Sequence, residues 1–298
     1  MELRHLRYFL AVAEEGNFTR AAARVGIAQP PLSQQIQALE KELGTPLFRR
    51  THQGAELNEA GEAFLLDVRR VLADVDAAVE SVQRAARGER GRLRLGFTAS
   101  AAFNPVVPKL IRHFQRAWPQ VTIVLLETNT VGLLKAMESG QLDAAFIRPS
   151  SLTPVGLNLL HFPDEPMKIA LPAAHRLAGR ARLPLSALAG EPFILFPRSF
   201  GPSLYDEIAQ ACRLAGFTLQ VSQEAPQMAS ICNLVAAELG VSVVPQAMTH
   251  VQLPGVRYID IQGHVPLARL ALASLPGRET VVVQHLTRLA RSMTREAS

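Results

Sequence analysis

The sequence predicts a multi-domain chain: short helices and a basic hairpin, then one long helix, then two α/β lobes. Three observations carry that expectation. Residues 18–57 place capping, turn and apolar positions at the spacing of two short helices followed by a hairpin. Residues 59–88 hold an apolar stripe at alternating spacings of four and three without a break. From residue 92 onward, short β-rich runs alternate with helical ones, the pattern of a parallel sheet covered by helices.

Residues 3–15 give the first helix, with Leu3, Leu6, Leu10 and Ala13 on one face and Phe9 beside them. Asn17 is placed to cap a second helix, because its side chain can accept from a first-turn amide. Phe18, Ala21, Ala22 and Val25 then share a face. Gly26 stands where a left-handed C-cap is wanted. Pro30 and Pro31 suit the first turn of a third helix. Leu32, Ile36, Leu39 and Leu43 form its buried face, and Gly44 and Pro46 end it. Its other face offers Ser33, Gln34, Gln37 and Lys41, with Gln29, Pro30 and Pro31 at its start. Hydroxyl and amide groups of this kind hydrogen-bond base edges in a major groove. Leu47 and Phe48 are expected to pack down. Arg49, Arg50, Thr51, His52, Gln53 and Gly54 then form a hairpin tip, with Gly54 at the turn. A polar helix face or a charge run is by itself usually just solvated. A basic wing directly after such a helix favours phosphate or minor-groove contact.

Alanine pair, glycine turn, double proline, glutamine-rich face and Phe48-Arg49-Arg50 together closely resemble the DNA-binding domain of LysR-type transcriptional regulators. The resemblance runs along the whole chain. It implies an all-α winged helix-turn-helix with a long dimerisation helix, then a two-lobed α/β domain similar to periplasmic binding proteins. The expected boundaries are 1–57 for the winged helix-turn-helix, 58–90 for the linker helix, 91–162 with 266–298 for lobe I, and 163–265 for lobe II.

Composition sets bounds on function. With 298 residues the chain has room for two or three cores. It is 48% hydrophobic and 19% charged, ordinary for a globular protein. No apolar run reaches the roughly eighteen residues of a membrane span. Glu14 and Glu15 follow the apolar middle of the N-terminus and no small-residue cleavage site is evident, so the expected location is the cytoplasm. The net charge of +5 invites a nucleic-acid reading. Residues 1–90, however, hold 12 Lys and Arg against 13 Asp and Glu, a net of −1, while residues 91–298 hold 19 against 13, a net of +6. DNA binding must therefore rest on local geometry around Arg49, Arg50 and His52, not on bulk charge. Cys212 and Cys232 stand twenty residues apart with no CxxC pairing, the pattern of buried reduced thiols.

Asn58 is placed to cap the long helix. Phe64, Val68, Val71, Val75, Ala78, Val82 and Ala85 follow as a heptad seam, with Arg69, Arg70, Asp74, Asp76, Glu80 and Arg84 outside it. Thirty residues at 1.5 Å each make a rod of roughly 45 Å. So narrow a stripe is best buried against a like partner. The resemblance implies a linker-helix dimer, and usually a tetramer as a dimer of dimers. A dimer would present two recognition helices to an interrupted palindrome in promoter DNA. RNA polymerase is the protein such a regulator would meet there.

In the C-terminal half, strands are expected at Leu93–Phe97, Val121–Leu126, Asp143–Ile147, Lys168–Leu171, Phe193–Phe196, near Gln220, at Val241–Val244 and at Leu267–Ala273. Helices are expected over 104–117, 132–138, 203–215, 229–239 and 279–293. Ligands in such sheets sit beyond the carboxyl ends of strands. That rule picks out Thr98, Ala99 and Ser100 after the first strand, Asn129 and Thr130 after the second, and Arg148 after the third. It adds Arg198, Pro202, Ser203 and Gln227 from the second lobe. Any one hydroxyl at such a turn is commonly a plain cap, and Arg148 and Arg198 have Glu127 and Asp206 as candidate partners. Convergence of several turns on one cleft favours a binding site, with arginine as a carboxylate fork. The motifs LGFTAS, LETNT, AAFIRP, ILFPRSFGPS and GVSVVP look most like regulators of benzoate, catechol and chlorocatechol degradation. That likeness places Ser100, Thr130 and Ser203 in the effector site and implies a small carboxylate effector, muconate-like or aromatic. Ala99 and Ala101 depart from it, making that corner smaller and more apolar.

No paired catalytic carboxylates, metal-ligand spacing or Ser-His-Asp grouping stands out, so the expectation is a regulator with a small-molecule effector and no cofactor or metal. Three rivals stay open. In one, the N-terminal helices serve only to dimerise a small-molecule binding protein. In another, the lobes carry an enzyme of the dehydratase type. In the third, the regulator senses thiol oxidation at Cys212 and Cys232.

Overall fold

A computed structural model describes residues 1–51, 54–150 and 153–296, with the side chains of Arg50, Thr51 and Glu296 left aside. The chain divides into two compact units, Met1–Arg84 and Ala85–Ser298.

The first unit begins with α1 (Leu3–Glu15), α2 (Phe18–Val25) and α3 (Gln29–Leu43). Local chemistry sets each end. Asn17 Oδ1 accepts from the amides of Thr19 and Arg20 at 2.9 and 3.1 Å. Gly26 and Gly44 close α2 and α3 with φ of 73° and 72°. The α1 face differs from the sequence expectation. Leu6, Phe9, Ala11 and Val12 are buried, Leu10 and Ala13 are half-buried, and Leu3 is exposed, because the inward side centres on Phe9. On α3, Leu32, Ile36 and Leu39 are fully buried, but Leu43 is 38% exposed, since it lies in the last turn beyond the core.

A hairpin follows, β1 (Phe48–Thr51) antiparallel to β2 (Gly54–Leu57). Gly54 does more than turn the chain. Its φ is +146°, and a Cβ there would stand 2.1 Å from the Gly16 carbonyl oxygen. That oxygen accepts from the Ala55 amide at 2.8 Å, so the wing is fastened to the end of α1. Leu47 and Phe48 are buried, with their amides bonded to Glu40.

Helix α4 (Glu59–Ala86) starts at Asn58, whose Oδ1 accepts from the Gly61 amide at 2.8 Å. The proposed seam divides. Phe64 packs edge-on against Phe9 at 5.0 Å, and Val68 is 1% exposed in the core of the same unit. Val68 is therefore enclosed in its own chain's core, and Phe64 is half-buried against it. Beyond them Val71, Ala78 and Val82 are exposed and Val75 is half-buried.

The second unit holds two sheets. In the first lobe the strands are β3 (Arg90–Phe97), β4 (Gln120–Glu127), β5 (Ala144–Ile147) and β6 (Asn158–His161). They are joined through α5 (Ala99–Ala102), α6 (Val106–Ala117) and α7 (Thr130–Glu138). The second lobe runs from β7 (Glu165–Pro172) through β8 (Arg182–Pro184), β9 (Phe193–Leu195), α8 (Pro202–Leu214), β10 (Val221–Glu224), α9 (Met228–Ala236) and β11 (Ser242–Pro245) to β12 (Val256–Gln262). After β13 (Leu267–Ala268) the chain re-enters the first lobe as β14 (Ala271–Ser274) and α10 (Val281–Glu296).

The first sheet has the order β4-β3-β5-β14-β6. β3 is parallel to β4 and β5, but β14 is antiparallel to β5 and β6. The sheet is thus mixed rather than parallel, because the returning chain arrives from the other lobe in the opposite direction. The expected single strand Leu267–Ala273 is for the same reason two strands: β13 pairs with β7 in the second lobe, β14 with β5 in the first. The run AAFI of β5 is buried on both faces. Ala144 and Phe146 join the core under α6 and α10; Ala145 and Ile147 join the one under α7. The second lobe centres on the order β11-β7-β12-β8, with β9 and β10 paired beside it. Cys212 and Cys232 lie in its core.

Candidate functional site

Two sites emerge, one in each unit. In the first, Gln29, Pro30, Pro31, Gln34 and Gln37 of α3 are exposed and Ser33 is half-buried. The opposite face of the helix holds Leu32, Ile36 and Leu39, so the core fixes which groups point outward. Arg49 is exposed on β1, opposite Glu56 of β2. The backbone of Arg50 continues β1; its side chain and the whole of His52 lie outside the described residues. Arg24 of α2 pairs with Glu14 and Glu15, which raise its pKa.

The second site is a cavity of about 220 Å³ where the strand ends of the two lobes meet. It gathers Thr98, Ala99, Ser100, Asn129, Thr130, Arg148, Ser203 and Gln227, eight of the ten positions picked from the sequence. Glu127, Thr128, Phe196, Phe200, Gly201, Leu204, Pro226 and Met228 complete the lining. Most of these additions flank the expected positions along the chain; applying the strand-end rule to all of LETNT would have captured Glu127 and Thr128. Thr98, Ser100, Thr130 and Ser203 are buried. Asn129 caps α7 through the Gly132 amide at 2.8 Å. Ser203 Oγ donates to the Pro149 carbonyl at 2.8 Å, tying α8 to the end of β5. The N-termini of α7, α8 and α9 lie at the cavity, at Thr130, Ser203 and Met228, so the positive ends of three helix dipoles face the site.

Two expected residues stand elsewhere. Arg198 is exposed and forms a two-point fork with Asp206 at 2.7 and 2.9 Å, away from the cavity lining. Pro202 opens α8 without lining the cavity. Arg148 is at the cavity but is 3% exposed and committed. Its Nε donates to Ser100 Oγ at 3.2 Å. Nη1 donates to the carbonyls of Ala268 and Arg269 at 2.8 and 3.4 Å. Nη2 donates to the Ser100 carbonyl at 3.0 Å and to Glu165 Oε2 at 3.4 Å. A guanidinium has five N–H groups, and all five are used. Burial pulls the Arg148 pKa down, and Glu165 opposes that shift. Glu165 in turn accepts from Asn104 Nδ2 at 3.0 Å and the Ala247 amide at 2.6 Å. Arg148 is thus a clip at both points where the chain passes between lobes, not a waiting carboxylate fork.

The thiols offer no second chemistry. Cys212 is buried, and desolvation pushes its pKa up to about 11. Burial also raises Cys232, which accepts from Tyr258 Oη at 3.6 Å. Neither has the low-pKa exposed setting of a redox sensor. No group of His, Cys, Asp and Glu among the described residues can hold a metal ion. Among them, too, no helix is long and apolar enough to cross a membrane.

A winged helix-turn-helix in one unit and a hydroxyl-lined cavity in the other define a DNA-binding regulator with its own ligand-binding domain. Residues 3–62 match the bacterial regulatory helix-turn-helix proteins of the lysR family, and residues 86–295 match the LysR substrate binding domain. The chain belongs to the LysR family of transcriptional regulators, and its relatives are named as regulators rather than enzymes. It is 43% identical to the regulator BudR of Raoultella terrigena, over 92% of this chain and 94% of that one. It is 42% identical to YnfL of Escherichia coli, an uncharacterised regulator, over 88% of each. Full-length CbnR complexed with its target DNA is similar in structure, with a TM-score of 0.83, 27% identity and coverage of 99% of this chain and 100% of that one.

Proposed function

We propose that this regulator acts as a dimer or dimer of dimers in the cytoplasm, reads an interrupted palindrome in promoter DNA, and responds to a small carboxylate bound between its lobes. The observation that carries the ligand half is the cavity where three helix N-termini and four buried hydroxyl groups converge. The DNA half rests on the outward face of α3, with Gln29, Pro30, Pro31, Ser33, Gln34 and Gln37, and on Arg49 of the wing, which Arg50 and His52 follow in the sequence. The exposed run Val71, Ala78 and Val82 supports pairing through α4, which would set two recognition helices about a two-fold axis. Within the small carboxylates, the pocket motifs resemble those of the aromatic-catabolism branch. Ligand-driven change in the lobes would need a coupling of about 1–3 kcal/mol to act as a switch.

The test is a thermal-shift screen of small carboxylates on the full chain, followed by gel-shift on the DNA upstream of its own gene. A true effector at a hundred times its dissociation constant should stabilise by about 2.7 kcal/mol. Arg49→Ala should lower the salt slope of operator binding by about 0.9. Absence of any stabilising carboxylate would discard the ligand half; failure to retain promoter DNA over scrambled DNA would discard the DNA half.

A further inference from the structure

Resting on the reading of the cavity as the effector site, we propose that Glu127 sets the charge of the effector, and that the site takes a small zwitterionic amino acid with an apolar side chain. Among the described residues, two charged side chains line the cavity, Glu127 and Arg148. Arg148 has no N–H left to offer, and its charge is matched by Glu165. Glu127 is exposed at the carboxyl end of β4, and its carboxylate has no hydrogen bond or ion pair among the described residues. An entering ligand therefore meets one unneutralised carboxylate and no available cation.

The remaining polar groups of the site are neutral donors. The N-termini of α7, α8 and α9 each carry the equivalent of about half a positive charge. Thr130 is 8% exposed in the cavity lining, and its hydroxyl has no hydrogen-bond partner among the described residues. One carboxylate is satisfied by such groups. A second has no counter-charge, and against Glu127 it is repelled. An ammonium group reverses that sign. In an α-amino acid it sits next to the carboxylate, and Glu127 stands three residues before Thr130 at the same strand end. Phe196, Phe200, Leu204 and Met228 supply an apolar wall for the side chain. The charge count thus points away from muconate, although the pocket motifs resemble those of muconate-type regulators.

The experiment is calorimetric titration of the full chain at pH 7 with three probe sets: apolar amino acids, their 2-hydroxy analogues, and the dicarboxylates muconate and succinate. At least one amino acid should bind at least about tenfold more tightly than its hydroxy analogue, as expected for a hydrogen bond between charged groups. The dicarboxylates should be weaker still. Glu127→Gln should erase the amino-over-hydroxy preference and narrow the gap to the dicarboxylates. A dicarboxylate or hydroxy acid binding wild type as tightly as the best amino acid overturns the inference while leaving the cavity as an effector site. So does a preference that survives Glu127→Gln. If no carboxylate of any set binds, the effector-site reading falls and this inference with it. The wild-type ratio needs no variant, so the test stands even if Glu127→Gln misfolds.

Discussion

Replacing Arg148 by Met should destabilise the second unit far more than an average core substitution. The side chain is 3% exposed, and methionine approximates its stem without its charge. The change strips donors from the carbonyls of Ser100, Ala268 and Arg269 and from Glu165 Oε2. Glu165 keeps only Asn104 and the Ala247 amide, as a buried carboxylate without a counter-charge. Breaking a buried pair from one side costs about 3–5 kcal/mol, most of it the penalty on the abandoned charge. Glu165→Gln in the Arg148→Met background should therefore return about 1–3 kcal/mol. Urea unfolding followed by Trp118 fluorescence is a direct assay, because Trp118 is the sole tryptophan and lies in the first lobe. A loss below about 1 kcal/mol, or strict additivity of the two changes, would refute the clip.

Gly54→Ala should cost the first unit about 1–3 kcal/mol, read as a drop in Tm with weakened operator binding, because the added methyl meets the Gly16 carbonyl; an unchanged Tm would mean the wing is not fastened there. With a pKa near 11, the Cys212 thiol should be about one ten-thousandth ionised at pH 7. Native protein should accordingly react with a thiol reagent at Cys212 and Cys232 only after denaturation, and prompt labelling would reopen thiol sensing. Val82→Asp should weaken the dimer at least about tenfold in sedimentation equilibrium while Asp74→Ala leaves it unchanged, since Val82 is 70% exposed in one chain and its seam would be desolvated in two. Equal effects would move the interface away from that seam.

Local signals carried most of the first unit. Caps, αL glycines and helix-opening prolines act within a few residues, so the ends of α1, α2 and α3 were readable from the chain alone. The α1 face was misjudged because Leu3 matches the helical period yet lies at the exposed start of the helix. Tertiary placement, not periodicity, decides such an end. In the second unit, β6 and the three-residue β8 have almost no local signature. β12 does alternate, with Ile259 and Ile261 buried, but Pro254 and Gly255 just before it read as loop. The strand-end rule placed Arg148 at the cleft correctly and still misassigned its role. Its partners are 17, 48, 120 and 121 residues away, and no sequence window spans them. Arg198, by contrast, had its partner Asp206 eight residues on, within reach of inspection.

The place of β14 between β5 and β6 has a consequence for how the protein is made. β3 to β6 leave the ribosome by residue 161, but the strand that joins β5 to β6 ends at Ser274. Until roughly a hundred further residues are synthesised, β5 and β6 each hold a row of unpaired backbone groups, an invitation to wrong pairing with another chain. The second lobe, encoded within that interval, has all its strands in one continuous stretch and can close before the first lobe does. Early termination near residue 269 should thus leave a finished second lobe hanging from a sheet that lacks the strand joining β6 to the rest, the form on which holding chaperones and proteases would act first.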